Sequence, residues 1–305
     1  MPNYKKIAAE ARGGVLGLIY KAQTSHIGSN FSAIDIMAVL FEKADPKKDE
    51  IILSAGWKAA AWYYFLWRKG IITEEELNSF CQPNSSFIGL VEPMNRWGLR
   101  CSGGSMGMGL PFGVGFALAK KVKSKNNTVW KRNQYNCCKN CKRSMGELGA
   151  GEGFDCGNFQ CECHKEGNVY VLMSDGEMQC GTTWESALIA AHHKLDNLIV
   201  IVDYNQYQAM GPTNEILNLF DLREKWTSFK WNMFEIDGHN FDHLDSIPIY
   251  HSVGKKENSQ PTVVIANTIK GRGVSFMENN NLWHYKAPSQ EEYEKAMKEL
   301  NGIEL

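Results

Sequence analysis

Apolar and polar positions along this chain fall into blocks that read alternately as amphipathic helices and buried strands. Residues 5–22 follow a helical period interrupted by Gly13, Gly14 and Gly17, a glycine density that favours close packing against another backbone. After the polar loop 24–30 a second helix is predicted from Ser32, with Ser32 as its N-cap and Asp35 three residues on. Residues 50–54 form a short apolar run of strand length, leading through Ala55 and Gly56 into an aromatic helix over 57–69. The glycine-rich stretch 103–109 opens another helix that carries Phe112, Val114, Phe116 and Leu118. Residues 168–174 and 197–203 are apolar throughout their interiors, the pattern of strands covered on both faces in a parallel sheet, and a helix over about 182–193 joins them. Two more strands are expected at 231–236 and 261–267, with a helix near 241–250 between them. Strands alternating with helices of this length predict an α/β fold around a mostly parallel sheet.

Composition narrows the function. The chain has 305 residues, 43% of them hydrophobic and 22% charged, enough for a substantial core and unlike a disordered tail. A formal net charge of −1 lacks the basic footprint of a nucleic-acid or membrane-surface binder. No apolar run approaches the ~18–20 residues needed to cross a bilayer, and the mixed, helical opening lacks the apolar core of a signal peptide. A cytoplasmic protein is expected.

Cysteine usage departs from the rest of the chain. Six of the nine cysteines (Cys137, Cys138, Cys141, Cys156, Cys161 and Cys163) crowd into one stretch, and clustering with an odd total argues for metal over disulfides. They lie in a segment over 124–168 that is poor in aliphatic residues and shows neither helical nor strand period. One domain spanning 1–305, interrupted by this insertion, is therefore expected. A Cys-x-x-Cys pair followed by a second thiolate pair has the spacing of a tetrahedral zinc site. Cys138, Cys141, Cys161 and Cys163 are the preferred ligands, with Cys137, Cys156 or His164 as substitutes. Such a structural Zn²⁺ would fold a segment that has no core of its own.

The chemistry concentrates where strands end. Asp175-Gly176-Glu177 closes one predicted strand and Asp203-Tyr204-Asn205 closes the next. In a parallel sheet both carboxyl ends open on one crevice. Aspartate and asparagine there offer hard oxygen ligands to Mg²⁺, which seldom has an all-protein cage and is completed by phosphate and water. Gly176 admits a phosphate close to the backbone.

These residues belong to a longer series. Ser25-His26-Ile27-Gly28-Ser29, Gly104-Ser105-Met106-Gly107-Met108-Gly109, Asp175-Gly176-Glu177 and Thr183-Trp184-Glu185-Ser186-Ala187 come first. They continue through His192 to Asn205, Asp237-Gly238-His239, the Lys270-Gly271-Arg272-Gly273 stretch and Trp283-His284-Tyr285-Lys286-Ala287-Pro288. In that order they resemble the amino-terminal half of the transketolases, in the version split between two chains. The resemblance implies a three-layer thiamine-diphosphate-binding fold and transfer of a two-carbon ketol unit from a ketose (phosphate) to an aldose (phosphate), with the cofactor as electron sink. It implies that Asp175, Asn205 and the Tyr207 carbonyl hold Mg²⁺ (or Ca²⁺), that Gly176 and Glu177 lie at the diphosphate, and that Gly104, Ser105 and Met106 lie against the aminopyrimidine. His26 and His284 would handle substrate hydroxyls or protons, as imidazole can near neutrality. Glu185 matches a glutamate at the interface between cofactor-binding chains. A separate pyrimidine-domain subunit, a two-plus-two assembly and sugar phosphate substrates follow from the same resemblance.

Several positions depart from that pattern. Trp57 stands where the family has histidine after Ser-x-Gly, Leu90 stands where Gly-His-Pro is common, Ser174 replaces a glycine, and Cys180 replaces a frequent glutamate. Altered substrate choice, another thiamine-diphosphate activity of the deoxyxylulose-phosphate synthase type, and a non-catalytic paralogue are the alternatives these departures leave open. Two further histidine sites are expected to be inert. His192 and His193 are adjacent and so face different ways, and His239 suits a turn or packing role.

Overall fold

The structure, a computed structural model, describes residues 2–131, 167–246 and 260–302. In chain order its elements are α1 (Tyr4–Ala22), α2 (Ile27–Lys43), β1 (Glu50–Leu53), α3 (Ala59–Arg68), α4 (Glu74–Asn78) and α5 (Gly109–Lys131). There follow β2 (Val169–Ser174), α6 (Gly181–His192), β3 (Leu198–Tyr204), α7 (Thr213–Ile216), α8 (Leu222–Ser228), β4 (Asn232–Asp237), α9 (Phe241–Ser246), β5 (Thr262–Asn267) and α10 (Gln290–Asn301). The five strands form one sheet in the order β1-β2-β3-β5-β4, and every pair is parallel.

Successive strand residues point to opposite faces, and here both faces are buried. Ile51, Leu53, Tyr170, Leu172, Ile199, Ile201, Val264 and Ala266 join the core formed with α1, α2, α3 and α10. Their neighbours Ile52, Val171, Met173, Val200, Val202 and Ile265 join the core under α5, α6 and α8. Helices on both sides of a parallel sheet make the three layers expected, and explain why the strands read as continuous apolar runs.

Two boundaries differ from the sequence-based expectation. The second helix begins at Ile27, so Ser32 lies inside it and is not an N-cap. Its hydroxyl donates to Ser29 O and to Asp203, while Asp35 takes an ion pair from Arg12 at 2.7 Å. Burial alone would raise the Asp35 carboxyl, but Arg12 and His239 hold it below the usual range. Ser29 and Asn30 therefore look like loop residues in sequence and Ser32 like a cap, yet they are, with Asp35, buried residues inside one helix. The second difference is at α5, which runs to Lys131, so helix occupies the first residues assigned to the 124–168 insertion. The cysteine cluster and His164 lie outside the described residues, as do the last residues of the helix expected at 241–250.

Candidate functional site

Because all strands are parallel, the ends of β1, β2, β3 and β5 reach the same edge of the sheet. Ser174 of β2 is in register with Asp203 of β3, which in turn is in register with Ala266 of β5. Asp203 is fully buried. Lys58, also fully buried, places its Nζ 2.6 Å from Asp203 Oδ2. Ser32 donates to the same oxygen at 2.6 Å, and Thr268 donates to Oδ1. A buried carboxylate is tolerated only when paired and hydrogen-bonded in this way.

This network orients the next residue of the site. Asn205 donates from Nδ2 to Ser32 Oγ at 3.1 Å and towards Asp203 at 3.4 Å, so its Oδ1 is turned to the 205–212 loop and accepts Tyr207 N at 3.0 Å. Across from it, Asp175 Oδ1 accepts Gly176 N at 2.8 Å and Oδ2 accepts the Thr213 hydroxyl at 2.9 Å. Burial pushes the Asp175 carboxyl up to about 6, against the Thr213 hydrogen bond and reinforced by the nearby Asp203 charge. Glu177, by contrast, is turned inward. It accepts Ser174 N at 2.9 Å, Gly107 N at 3.1 Å and the Ser54 hydroxyl, tying the ends of β1 and β2 to the 103–108 loop. That loop lies flush on the turn after β1. A Cβ on Gly56 would sit 1.0 Å from Gly103 O, so no side chain fits there.

The two candidate histidines meet. His26 precedes α2 with φ 73°, its backbone N–H donates to His284 O at 2.8 Å, and the rings pack edge to face at 4.8 Å. Ser25 Oγ lies 2.6 Å from His26 Nδ1, leaving Nε2 as the ring atom open to a ligand. The buried ammonium of Lys270 reaches His284 Nδ1 at 3.0 Å, Asn281 Oδ1 at 2.7 Å and Gln208 O at 3.3 Å. An ammonium only donates, so His284 Nδ1 accepts and its proton sits on Nε2. Burial and the neighbouring lysines push His284 down to about 3 and His26 down to about 4, and burial with Lys58 pushes Lys270 down to about 8. Both imidazoles are neutral near pH 7.

Comparison with known proteins decides the family. The family model described as "Transketolase, thiamine diphosphate binding domain" matches residues 4–141 and 158–304. The chain belongs to the transketolase family. It is 32% identical over 289 residues to one of the named subunits of the apulose-4-phosphate transketolase of Actinobacillus succinogenes, covering 90% of this chain and 87% of that one. The like-named subunit from Phocaeicola vulgatus is 29% identical over 299 residues, covering 95% and 91%. In extent, therefore, the chain corresponds to the amino-terminal subunit of a split transketolase, in a family of transferases. Among solved structures, transketolase from Leishmania mexicana superposes with a TM-score of 0.79 at 20% identity over 99% of this chain. The chain spans 42% of that longer protein, and the likeness bears on the fold.

Within the transketolase frame, the structure brings Asp175, Gly176, Asn205 and Tyr207 together at the ends of β2 and β3. It sets the Gly104-Ser105-Met106 loop beside them, since Met106 Cε lies 3.1 Å from where a Gly176 Cβ would stand. Glu177 braces the loops rather than facing the crevice. Glu185 is exposed on α6. His239 is a packing residue: it donates from Nδ1 to Asp35 at 2.7 Å and accepts Ile269 N at Nε2. Sequence reasoning misses Lys58, Ser32, Thr213, Gln208 and Lys270. Lys270 stands in one of the family motifs and is within reach of such reasoning, whereas Lys58 reads as an ordinary solvent lysine.

Proposed function

We propose that this chain binds thiamine diphosphate with Mg²⁺ (or Ca²⁺) and, joined to a separate pyrimidine-domain subunit, transfers a two-carbon ketol unit from a ketose phosphate to an aldose phosphate. The observation that carries this is the convergence of Asp175, Asn205 and the Tyr207 loop with the His26–His284–Lys270 cluster on one edge of the sheet. The site suits the cofactor's diphosphate and cation on three counts. Gln208 Nε2 is buried without a partner. Asp175 is buried and forms no ion pair among the described residues. Gly176 leaves room between Met106 and Gln208 where the backbone can approach an anion. Asp175, Asn205 and the Tyr207 carbonyl would hold the cation, and Lys270 would add positive charge facing the anion.

When bound, thiamine diphosphate supplies the electron sink for breaking and making the bond beside a carbonyl. The chain's own residues do the rest. His26 and His284, neutral and in contact, can take up and return a proton at substrate hydroxyls. The Lys58–Asp203–Ser32 network holds Asn205 in one orientation. Leu188 and Ile189, 62% and 47% exposed beside Glu185 on α6, with exposed Met106 and Met108 at the cofactor loop, are apolar surface of the kind an obligate partner covers. They support a two-plus-two assembly. For the cysteine cluster, the spacing supports a structural Zn²⁺, checked by metal content of the purified chain at one ion per copy.

The test is reconstitution with the partner subunit. Ketose-to-aldose transfer is expected from the complex and not from this chain alone. His26→Ala should lower kcat by about 10²–10⁴, and Asp175→Ala should remove cofactor binding. Turnover by the isolated chain, or full activity in the Asp175 variant, contradicts the proposal.

A further inference from the structure

A recess of about 350 Å³ opens beside His26, within the size range of small-molecule sites. Its walls are Trp57, Ala60, Phe80, Ile88 and Leu90. It adjoins the cofactor loop, because Leu90 Cδ1 lies 3.2 Å from where a Gly104 Cβ would be. Of the polar groups that line it, His26 Nε2 and the Trp57 indole N–H stand at one side, while Asn30 and Ser25 are already engaged. Asn30 donates to His26 O at 2.9 Å and to Trp57 O at 3.2 Å, and its Oδ1 accepts Ala61 N at 2.9 Å. Ser25 is bonded to the His26 ring at 2.6 Å. A hydroxyl lodged against Ala60, Phe80, Ile88 and Leu90, away from His26, leaves its water partners and meets no donor or acceptor on those side chains. A methyl or methylene group loses nothing.

Resting on the proposed ketol-type transfer, we infer that Trp57 and Leu90 set the substrate class: the group seated in this recess is apolar, so the enzyme prefers a deoxy substrate over its hydroxylated counterpart. Two matched pairs distinguish which reactant supplies the group. As donors they are 1-deoxy-D-xylulose 5-phosphate and D-xylulose 5-phosphate, and as acceptors lactaldehyde and glyceraldehyde. Within each pair one hydroxyl is the only difference. With the deoxy donor the C2–C3 bond breaks and its electron pair stays on C2. The C3 hydroxyl proton leaves as C3 becomes an aldehyde. The pair on C2 then bonds to the acceptor carbonyl carbon, whose oxygen takes up a proton, and no oxidant or reductant enters.

The experiment uses the complex of this chain with its partner, thiamine diphosphate and Mg²⁺. The expected result is that kcat/KM favours the deoxy member of one pair by about tenfold or more. Leu90→Asn, which keeps the branched side-chain skeleton and adds hydrogen-bonding groups, should reverse that ratio, and Trp57→His should move it the same way. Saturation-transfer NMR on the same complex, which needs no turnover, should place the strongest transfer on the methyl protons of the preferred deoxy compound and lose it in the Leu90 variant. A preference for the hydroxylated member of both pairs, or a ratio indifferent to both substitutions, overturns the inference. If the complex turns over no pair, the ketol-transfer proposal fails, while methyl saturation that is absent or unchanged by Leu90→Asn still refutes the recess.

Discussion

Beneath the site, Asp203, Lys58, Ser32 and Thr268 are all buried, and they satisfy one another with hydrogen bonds that span from 65 to 171 residues of sequence. At its rim, Gln208 Nε2 has no partner, Asp175 is a buried carboxylate without an ion pair among the described residues, and Met106 and Leu90 are about two-fifths exposed. The floor is complete within this chain and can form before any ligand arrives. The rim is built from groups whose needs a cation, a diphosphate, a substrate and a second subunit would meet. Stability should therefore reside in the floor, and ligand dependence in the rim.

Lys58→Met tests the floor and should have the largest effect. It leaves Asp203 buried without its cation, and breaking a buried pair from one side costs about 3–5 kcal/mol. Denaturant unfolding of the cofactor-free chain measures it, and a loss under about 1 kcal/mol would show that the pair is not what holds the floor.

A smaller effect, of opposite character, is expected at Asp175. With its carboxyl raised to about 6 from an ordinary 3.8, the unfolded chain releases this proton as pH rises from about 4 to about 6 while the folded chain keeps it. Stability contributed by Asp175 is thus present at low pH and falls through that window, by about 3 kcal/mol at most. His26 and His284 act in the opposite sense. Their lowered values mean that stability is present above about 6.5 and is lost as pH falls and the unfolded imidazoles take up protons. The Asp175 contribution is therefore read as the difference between the wild-type chain and Asp175→Asn. That difference should grow from pH 4 to pH 6 and shrink again with Mg²⁺ and thiamine diphosphate present.

The smallest effect is expected on the outer face of α6. Leu188→Ala should leave the chain's own stability within about 0.5 kcal/mol, yet weaken the two-plus-two assembly, as sedimentation of the mixed chains would show. Equal association with and without Leu188 would remove this face from the interface.

The same division explains what is visible in the sequence. Buried parallel strands are apolar throughout and stop at polar residues, so Asp175 and Asn205 stand out as strand ends and the fold class follows from the alternation. The start of α2 is misread because Ser29, Asn30 and Ser32 break the apolar period. Their burial depends on partners such as Asp203 that no local pattern links to them. Lys58 is invisible for the same reason: only the folded chain sets its ammonium against a carboxylate 145 residues away. Conversely Glu177, which its place beside Gly176 suggests as a cofactor contact, is the clasp between β1, β2 and the 103–108 loop.

In the proposed function two neighbouring strand ends grip the cofactor's diphosphate through one divalent cation. Isothermal titration of thiamine diphosphate into the two-subunit complex tests it directly. Saturable binding with Mg²⁺, abolished by EDTA and by Asp175→Ala, is the predicted result. Binding that persists undiminished in the Asp175 variant, or no binding by the wild-type complex, would contradict it.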